Sequence, residues 1–439
     1  MEQIDTLINA RWVIPVEPAD IVLDHHSVAV RDGRIVAVLP TADATERYQA
    51  EHVHELTDHA VIPGLINAHS HAAMNLMRGI ADDLPLMTWL QEHIFPAEAA
   101  NVSPEFCQDG VEAAVAEMLA GGITCFNDMY FYPEVTTRVA SRAGMRVTAG
   151  MILFDFGTPY ADGPDDYIDK GLALHDAWRN DPLVSTAFSP HAPYTVSEES
   201  LRRVNTLANE LECPLHIHVH ETADEVQQSV DQTGERPLAR LDANGLLNPG
   251  FIAVHMTQLT DDEIQRLADT GSHVVHCPEA NMKLASGFCP AQKLLDAGVN
   301  VALGTDGVAS NNDLDMFGEM RSAALLGKVV AGDAGALNAA QVLAMATING
   351  ARALGLNDQT GSLVAGKAAD ITAVDLGAVE SQPVYHPLSQ LVYASGRHQV
   401  SDVWVAGRHL VHNGKSLTVD RDHILSRLHT WRDKLMPNA

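Results

Sequence analysis

The most chemically suggestive residues lie in Val61–His71, VIPGLINAHSH, where an apolar run enters His69-Ser70-His71. In extended backbone, residues two apart share a face, so these imidazoles can aim at one point, about 2.0–2.1 Å from a zinc ion. For an isolated H-x-H pair, two polar histidines in a turn is an equally good reading. A second run, Pro214-Leu215-His216-Ile217-His218-Val219-His220-Glu221, places His216, His218 and His220 on one face by parity, and spacing leaves open which is a ligand and which are hydrogen-bonded core histidines. His255 ends another apolar run, where a hydrogen-bonded strand-end histidine is the simpler assignment. Asp306 follows Leu303-Gly304-Thr305 and precedes Gly307 and the polar loop Ser310-Asn311-Asn312-Asp313. A carboxylate buried there is costly unless paired or bound to metal; a solvated loop aspartate is the alternative.

Positioning such groups calls for a repeating scaffold. Residues 61–360 alternate apolar β runs with amphipathic helices. The expected strands are Val61–Ile66, Ile123–Met129, Arg146–Leu153, Val184–Pro190, Pro214–His220, Ile252–His255, His273–Cys277 and Val299–Gly304. Ser103-Pro104 opens a helix that Gly121-Gly122 ends, and Thr260 with Glu263 forms a capping box. Eight strand–helix units make the expected fold class α/β, a (β/α)8 barrel of the TIM type, whose chemistry gathers at the C-terminal strand ends. The two ends, 1–60 and 361–439, are β-rich: Thr6–Ile14, His26–Val30 and Ile35–Leu39 at one, Gly361–Val364, Asp370–Val374, Val400–Val405 and Arg408–His412 at the other, with Ala406-Gly407 as a hairpin turn. They are expected to pair into one small β-sandwich domain. After Val419 an amphipathic helix (Ile424, Leu425, Leu428, Trp431, Leu435) is expected to dock on the body or on another subunit.

Composition narrows the function classes. The chain has 439 residues, 46% hydrophobic and 19% charged, enough apolar material for a large core. A formal charge of −29 repels phosphate backbones and acidic membranes and argues against a nucleic-acid polymer as partner, while leaving a free nucleoside allowed. Five scattered cysteines without a C-x-x-C indicate neither a disulfide framework nor a thiolate zinc site. The N-terminus lacks a basic region followed by an apolar run, and no stretch is long enough to span a bilayer, so a cytoplasmic location is expected.

The stretches PGLINAHSHAAMNLMRG, MTWLQEHIFPAE, SPHAPYTVS, HIHVHETADE, AVHMTQL, HCPEANMKLASG and LGTDGVASNNDLDMFGEM, in this order, resemble the amidohydrolase superfamily. The similarity is to the aminohydrolase branch that includes methylthioadenosine/S-adenosylhomocysteine deaminases and triazine hydrolases. That resemblance implies one zinc ion per subunit held by His69, His71, His218 and Asp306, with Asp306 also taking a proton from the attacking water. It makes Glu221 the proton shuttle to the ring and His255 a partner of the metal-bound water. Glu98 corresponds to a position holding ribose hydroxyls and His191 to one contacting the nucleoside; without the resemblance these read as a helix-surface carboxylate and a loop histidine. The implied reaction is deamination of the adenine ring of 5′-methylthioadenosine, with S-adenosylhomocysteine and adenosine as further substrates, in a homo-oligomer. Family members favouring S-adenosylhomocysteine use arginines from the region after the third strand. Here Val147–Trp178 holds no Arg and only Lys170, alongside Phe154, Phe156, Pro159 and Tyr160, with Arg146 and Arg179 flanking it. A missing bidentate clamp disfavours a carboxylate-bearing tail. The rival enzyme reading is a deaminase or dechlorinase of guanine, cytosine or an s-triazine; the rival outside catalysis is a barrel kept as a binding module.

Overall fold

Two eight-stranded sheets organise the chain in the computed structural model, which describes residues 1–436. The N-terminal segment supplies β1 (Glu2–Val13), β2 (Leu23–Arg31), β3 (Arg34–Pro40) and β4 (Tyr48–Pro63). Then come β5 (Leu65–Ser70), β6 (Ile123–Asp128), β7 (Arg146–Leu153), β8 (Val184–Pro190), β9 (Leu215–Val219), β10 (Phe251–His255), β11 (His273–His276) and β12 (Asn300–Leu303), with helices between them. The C-terminal part adds β13 (Ile371–Asp375), β14 (Val400–Val405), β15 (Arg408–His412) and β16 (Lys415–Ser416).

Strands β5 to β12 neighbour one another in chain order and run parallel, the arrangement of a (β/α)8 barrel. The other sheet, ordered β16-β15-β14-β13-β4-β1-β2-β3, joins the two chain ends where β13 pairs with β4. A buried ion pair ties the sheets together: Arg146, at the start of β7, donates from Nε to Asp370 Oδ2 at 3.0 Å and from Nη2 to Oδ1 at 3.3 Å. The helix Arg421–Leu435 docks on the helix Pro104–Ala120, where Trp431 Nε1 donates to Asp109 Oδ2 at 2.6 Å. Among the described residues no helix is long and apolar enough to cross a membrane.

Two strand expectations are corrected, and most of one long strand was not anticipated. The first barrel strand is β5, not Val61–Ile66: Val61 pairs with Val13 and with Ala373 in the other sheet. VIPGLI is apolar throughout because residues 61–66 are all buried, so hydropathy shows no break where the chain changes sheet. Gly64 makes that passage, since a Cβ there would lie 2.1 Å from Thr124 Oγ1. Most of β4 escapes detection because its polar residues between Gln49 and His59 are largely exposed. Gly361–Val364 is a loop rather than a strand, pinned where Leu363 N–H donates to the Pro15 carbonyl at 3.0 Å.

Candidate active site

The edge of the barrel between β12 and β5 brings the first two chemical groups together. Asp306 N–H donates to the His69 carbonyl at 3.0 Å, and the Asn67 side chain accepts from Thr305 N–H at 3.0 Å while donating to Thr305 Oγ1 at 2.7 Å. Gly304 permits this approach, because a Cβ would sit 2.8 Å from the His69 backbone nitrogen. Asp306 adopts φ +63°, which turns its carboxylate over the strand ends. There Oδ1 accepts from Gly307 N–H and Oδ2 from the Ser310 hydroxyl, each at 2.8 Å.

Donor atoms of His69, His71, His218 and Asp306 lie within 4.8 Å of one another. His71 Nδ1 faces the Met129 carbonyl at 2.5 Å and His218 Nδ1 the His191 carbonyl at 2.8 Å. Carbonyls only accept, so both Nδ1 atoms carry a proton and both Nε2 atoms are turned toward the cluster. His218 Nε2 is 3.2 Å from His69 Nε2, and Asp306 Oδ1 is 3.3 and 3.1 Å from Nε2 of His69 and His71. These separations approach the edge of a tetrahedron of zinc ligands, roughly 3.3 Å for bonds near 2.0–2.1 Å. Burial first, then the neighbouring imidazoles, holds His218 well below its ordinary range. Burial likewise brings His69 down to about 4 despite the Asp306 carboxylate. Burial also opposes charge on His71, but Asp306 and the Met129 carbonyl outweigh it and raise that ring. Neutral imidazoles are the form a metal takes.

The ambiguity of the histidine run resolves by depth. His216 lies beneath the cluster, its Nε2 3.2 Å from His69 Nδ1 and its Nδ1 3.3 Å from the Asn127 amide. This imidazole–imidazole contact ties His216 Nε2 to His69 Nδ1 and fixes the orientation of the His69 ring, with Nε2 turned to the cluster. His220 lies beyond the end of β9 at φ +53°, where alternation has ceased, and its Nε2 accepts from Leu238 N–H at 3.1 Å. His216 is a contributor that sequence parity could nominate but not place.

Around the cluster opens a cleft with an apolar wall and a few converging polar groups. Its walls include Trp89, Leu90, Ile94, Phe131, Phe154 and Leu284; its polar groups include Glu98, His191, Glu221, His255 and Ser310. Every site residue nominated from sequence therefore meets here except His69, which lies behind the lining. His255 Nε2 is 3.8 Å from Glu221 Oε2, and its Nδ1 faces Asn281 Oδ1 at 2.9 Å. Burial raises the Glu221 carboxyl. The Glu225 carboxylate accepts from the backbone N–H groups of His220 and Glu221 at 3.0 and 2.6 Å, clamping the turn that carries Glu221. Burial pushes Glu98 up to about 7, while the Tyr130 hydroxyl, donating to its Oε1 at 2.7 Å, pulls the other way. His191, held down to about 3 chiefly by burial, stacks on Phe154 at 4.7 Å. Trp89 and Tyr130 escaped the sequence reading. Tyr130 follows a barrel strand and was open to the strand-end rule; Trp89 sits in a π-helical turn, Trp89–Ile94, whose sequence spacing carries no such signal.

Among the lining residues there is no lysine or arginine. Arg146 is committed to Asp370, Arg179 lies 3.5 Å from Asp176, and Lys170 donates to Asp166 and the Tyr160 carbonyl. Lys283, next to the wall residue Leu284, is held by Asp82, Asn312 and the Ala309 carbonyl.

Three imidazoles and a carboxylate at the C-terminal mouth of a parallel barrel are the donor set of a metal-dependent hydrolase. The chain belongs to the amidohydrolase family, whose model matches residues 60–410. It is 49% identical to the 5-methylthioadenosine/S-adenosylhomocysteine deaminase of Teredinibacter turnerae, covering 98% of each chain. The crystal structure of a zinc-bound adenosine deaminase from Xanthomonas campestris superposes with a TM-score of 0.98 at 54% identity, covering 99% of both chains. Zinc-complexed atrazine chlorohydrolase from Arthrobacter aurescens superposes at 0.91 with 25% identity, over 97% of this chain and 99% of that one.

Replacing His216 by Phe keeps ring volume but leaves His69 Nδ1 without its hydrogen-bond partner. The variant is expected to fold and to lose metal affinity by about 10–100-fold, measured as metal retained against a graded chelator series.

Proposed function

We propose that the protein hydrolyses the exocyclic amine of an adenine nucleoside, converting C6–NH2 and water to C6=O and ammonia, with 5′-methylthioadenosine preferred over S-adenosylhomocysteine and adenosine. The observation carrying this reading is a cleft that pairs the metal-type cluster with Glu98 and His191 and has an apolar wall free of cations. The donor set fits one zinc ion per chain on His69, His71, His218 and Asp306. When bound there, zinc supplies a water acidic enough to attack near neutral pH.

The chain's own groups supply the proton transfers. Asp306, held ionised by His69 and His71 although burial opposes it, takes the proton that the attacking water releases. Glu221, its carboxyl raised by burial, holds a proton for ring N1 and so makes C6 electrophilic. His255 faces Glu221 with Nε2 while Asn281 holds its other nitrogen. Glu98 accepts from the ribose hydroxyls, and His191, neutral and stacked on Phe154, borders the nucleoside. Guanine or an s-triazine would leave Glu98 without its hydroxyl partners, which sets the free-base reading second. A cytoplasmic homo-oligomer completes the proposal; exposed Leu325 and Val329, four apart on the helix Met316–Ala331, offer apolar surface for a subunit contact.

Ammonia release and the ultraviolet change from adenine to hypoxanthine, followed in parallel for the three nucleosides and guanine, test the assignment. The highest kcat/KM is expected with methylthioadenosine; preference for guanine would discard the ribose contacts, and preference for S-adenosylhomocysteine would discard the tail argument. Glu221→Gln is expected to keep its metal and lose about 10²–10⁴-fold in kcat; unchanged turnover would remove Glu221 from its role. Glu98 gives a pH signature. Its folded pKa of about 7 lies above its ordinary value of 4.5, so stability falls as pH rises between those values and the full cost is present above pH 7. Glu98→Gln is therefore expected to melt higher than the parent at pH 8 but not at pH 5, while the parent's fall in KM between pH 6 and 8 flattens.

A further inference from the structure

We infer that His54, His409 and Asp402 form a second divalent-cation site, of the zinc type, in the small mixed sheet and apart from the barrel. His54 comes from β4, Asp402 from β14 and His409 from β15, and their donor atoms lie within 4.8 Å of one another. The spacing parallels that of the barrel cluster. The His54 and His409 ring centroids are 5.0 Å apart, against 4.8, 4.9 and 5.3 Å among His69, His71 and His218. One carboxylate oxygen again faces two imidazoles: Asp402 Oδ1 is 3.0 Å from His409 Nε2 and 2.7 Å from His412 Nδ1.

The surrounding groups orient the donors. Asn413 Nδ2 donates to His412 Nε2 at 3.0 Å, so His412 carries its proton on Nδ1 and gives it to Asp402. His412 is thus a support for the carboxylate rather than a third imidazole ligand, the outer-shell arrangement of metal carboxylates. Trp404 stacks on the His409 ring at 4.5 Å and 11°, fixing its plane. Burial lowers His54, the neutral state a ligand needs. Burial opposes charge on Asp402, but His409 and His412 hold its carboxyl at about 2. Asp402 is buried while the His409 side chain is 21% exposed, which gives a cation a path inward. The formal charge of −29 raises cation concentration around the whole molecule.

The competing account is a histidine–aspartate ion pair with no metal, and the number of bound ions separates the two. Metal content is counted by mass spectrometry on the full chain equilibrated with zinc and passed over a desalting column. Two ions per chain are expected in the parent. One is expected in His54→Ala and in His409→Gln, both with the barrel ion and deaminase turnover retained, and one in His69→Ala, where the remaining ion is the second. His54 is only partly buried and serves as the variant that keeps the fold. One ion per chain in the zinc-saturated parent overturns the proposal, as do two ions surviving in both His54→Ala and His409→Gln. This count does not depend on which nucleoside the barrel deaminates.

Discussion

Between β12 and β5 the barrel closes on very few bonds. No continuous ladder joins the two strands; an isolated parallel bridge links Ser70 with Asp306, Asp306 N–H reaches the His69 carbonyl, and the Asn67 side chain stands in for backbone by pairing twice with Thr305. The seam ends in the residues whose donors would share a metal, His69 and Asp306. Ligation across it would therefore add a cross-link where hydrogen bonding is sparsest. Metal binding and barrel closure draw on the same residues, which is the usual relation between a metal site and the fold that forms it.

Burial at the strand ends sorts the ionisable groups into roles. It suppresses charge on imidazoles, so His69, His191 and His218 stay neutral, and on carboxyls, so Glu98 and Glu221 rise. Asp306 escapes because His69 and His71 stand within 3.3 Å of it. A lowered carboxyl beside a raised one is the arrangement that the proposed separation of base from acid requires. The same desolvation costs stability, which the large apolar core around the eight strands must offset.

How much of this was legible in the sequence depended on whether a signal was local. The barrel strands stood out because parallel strands are buried on both faces and read as continuous apolar runs. That same property hid the crossing from β4 to β5, since Val61–Ile66 is apolar on both sides of Gly64. The H-x-H pair and the aspartate placed directly after an apolar strand at Asp306 carried their own local signal. His216, His218 and His220 could not be separated by period, because what distinguishes them is depth along β9 and the backbone turn at φ +53°. Glu98 and Trp89 lie on helical turns with no strand-end signal; family resemblance placed the first and left the second unassigned. Asp402, His54 and His409 are separated by up to 355 residues, 409 − 54, and come together only through the composite sheet that pairs both chain ends.

The few cations of this acidic chain bear on what the cleft can read. Arg146 is locked against Asp370 between the two sheets, Lys170 spans Asp166 and the Tyr160 carbonyl, and Lys283 ties Asp82 to the Asn312 loop. Each does structural work away from the cavity, and withdrawing any of them would leave a carboxylate unpaired. A ligand tail bearing a carboxylate would then lose its hydration with no guanidinium to replace it, a cost of several kcal/mol for a fully desolvated ion. A thioether tail loses little by entering a wall of Phe131, Phe154 and Trp89, and sulfur–aromatic contacts add about 0.3–1.5 kcal/mol each. On the proposed reading, discrimination at the 5′ end thus rests on the placement of cations elsewhere in the fold, while the ring and the ribose would meet the ionisable groups.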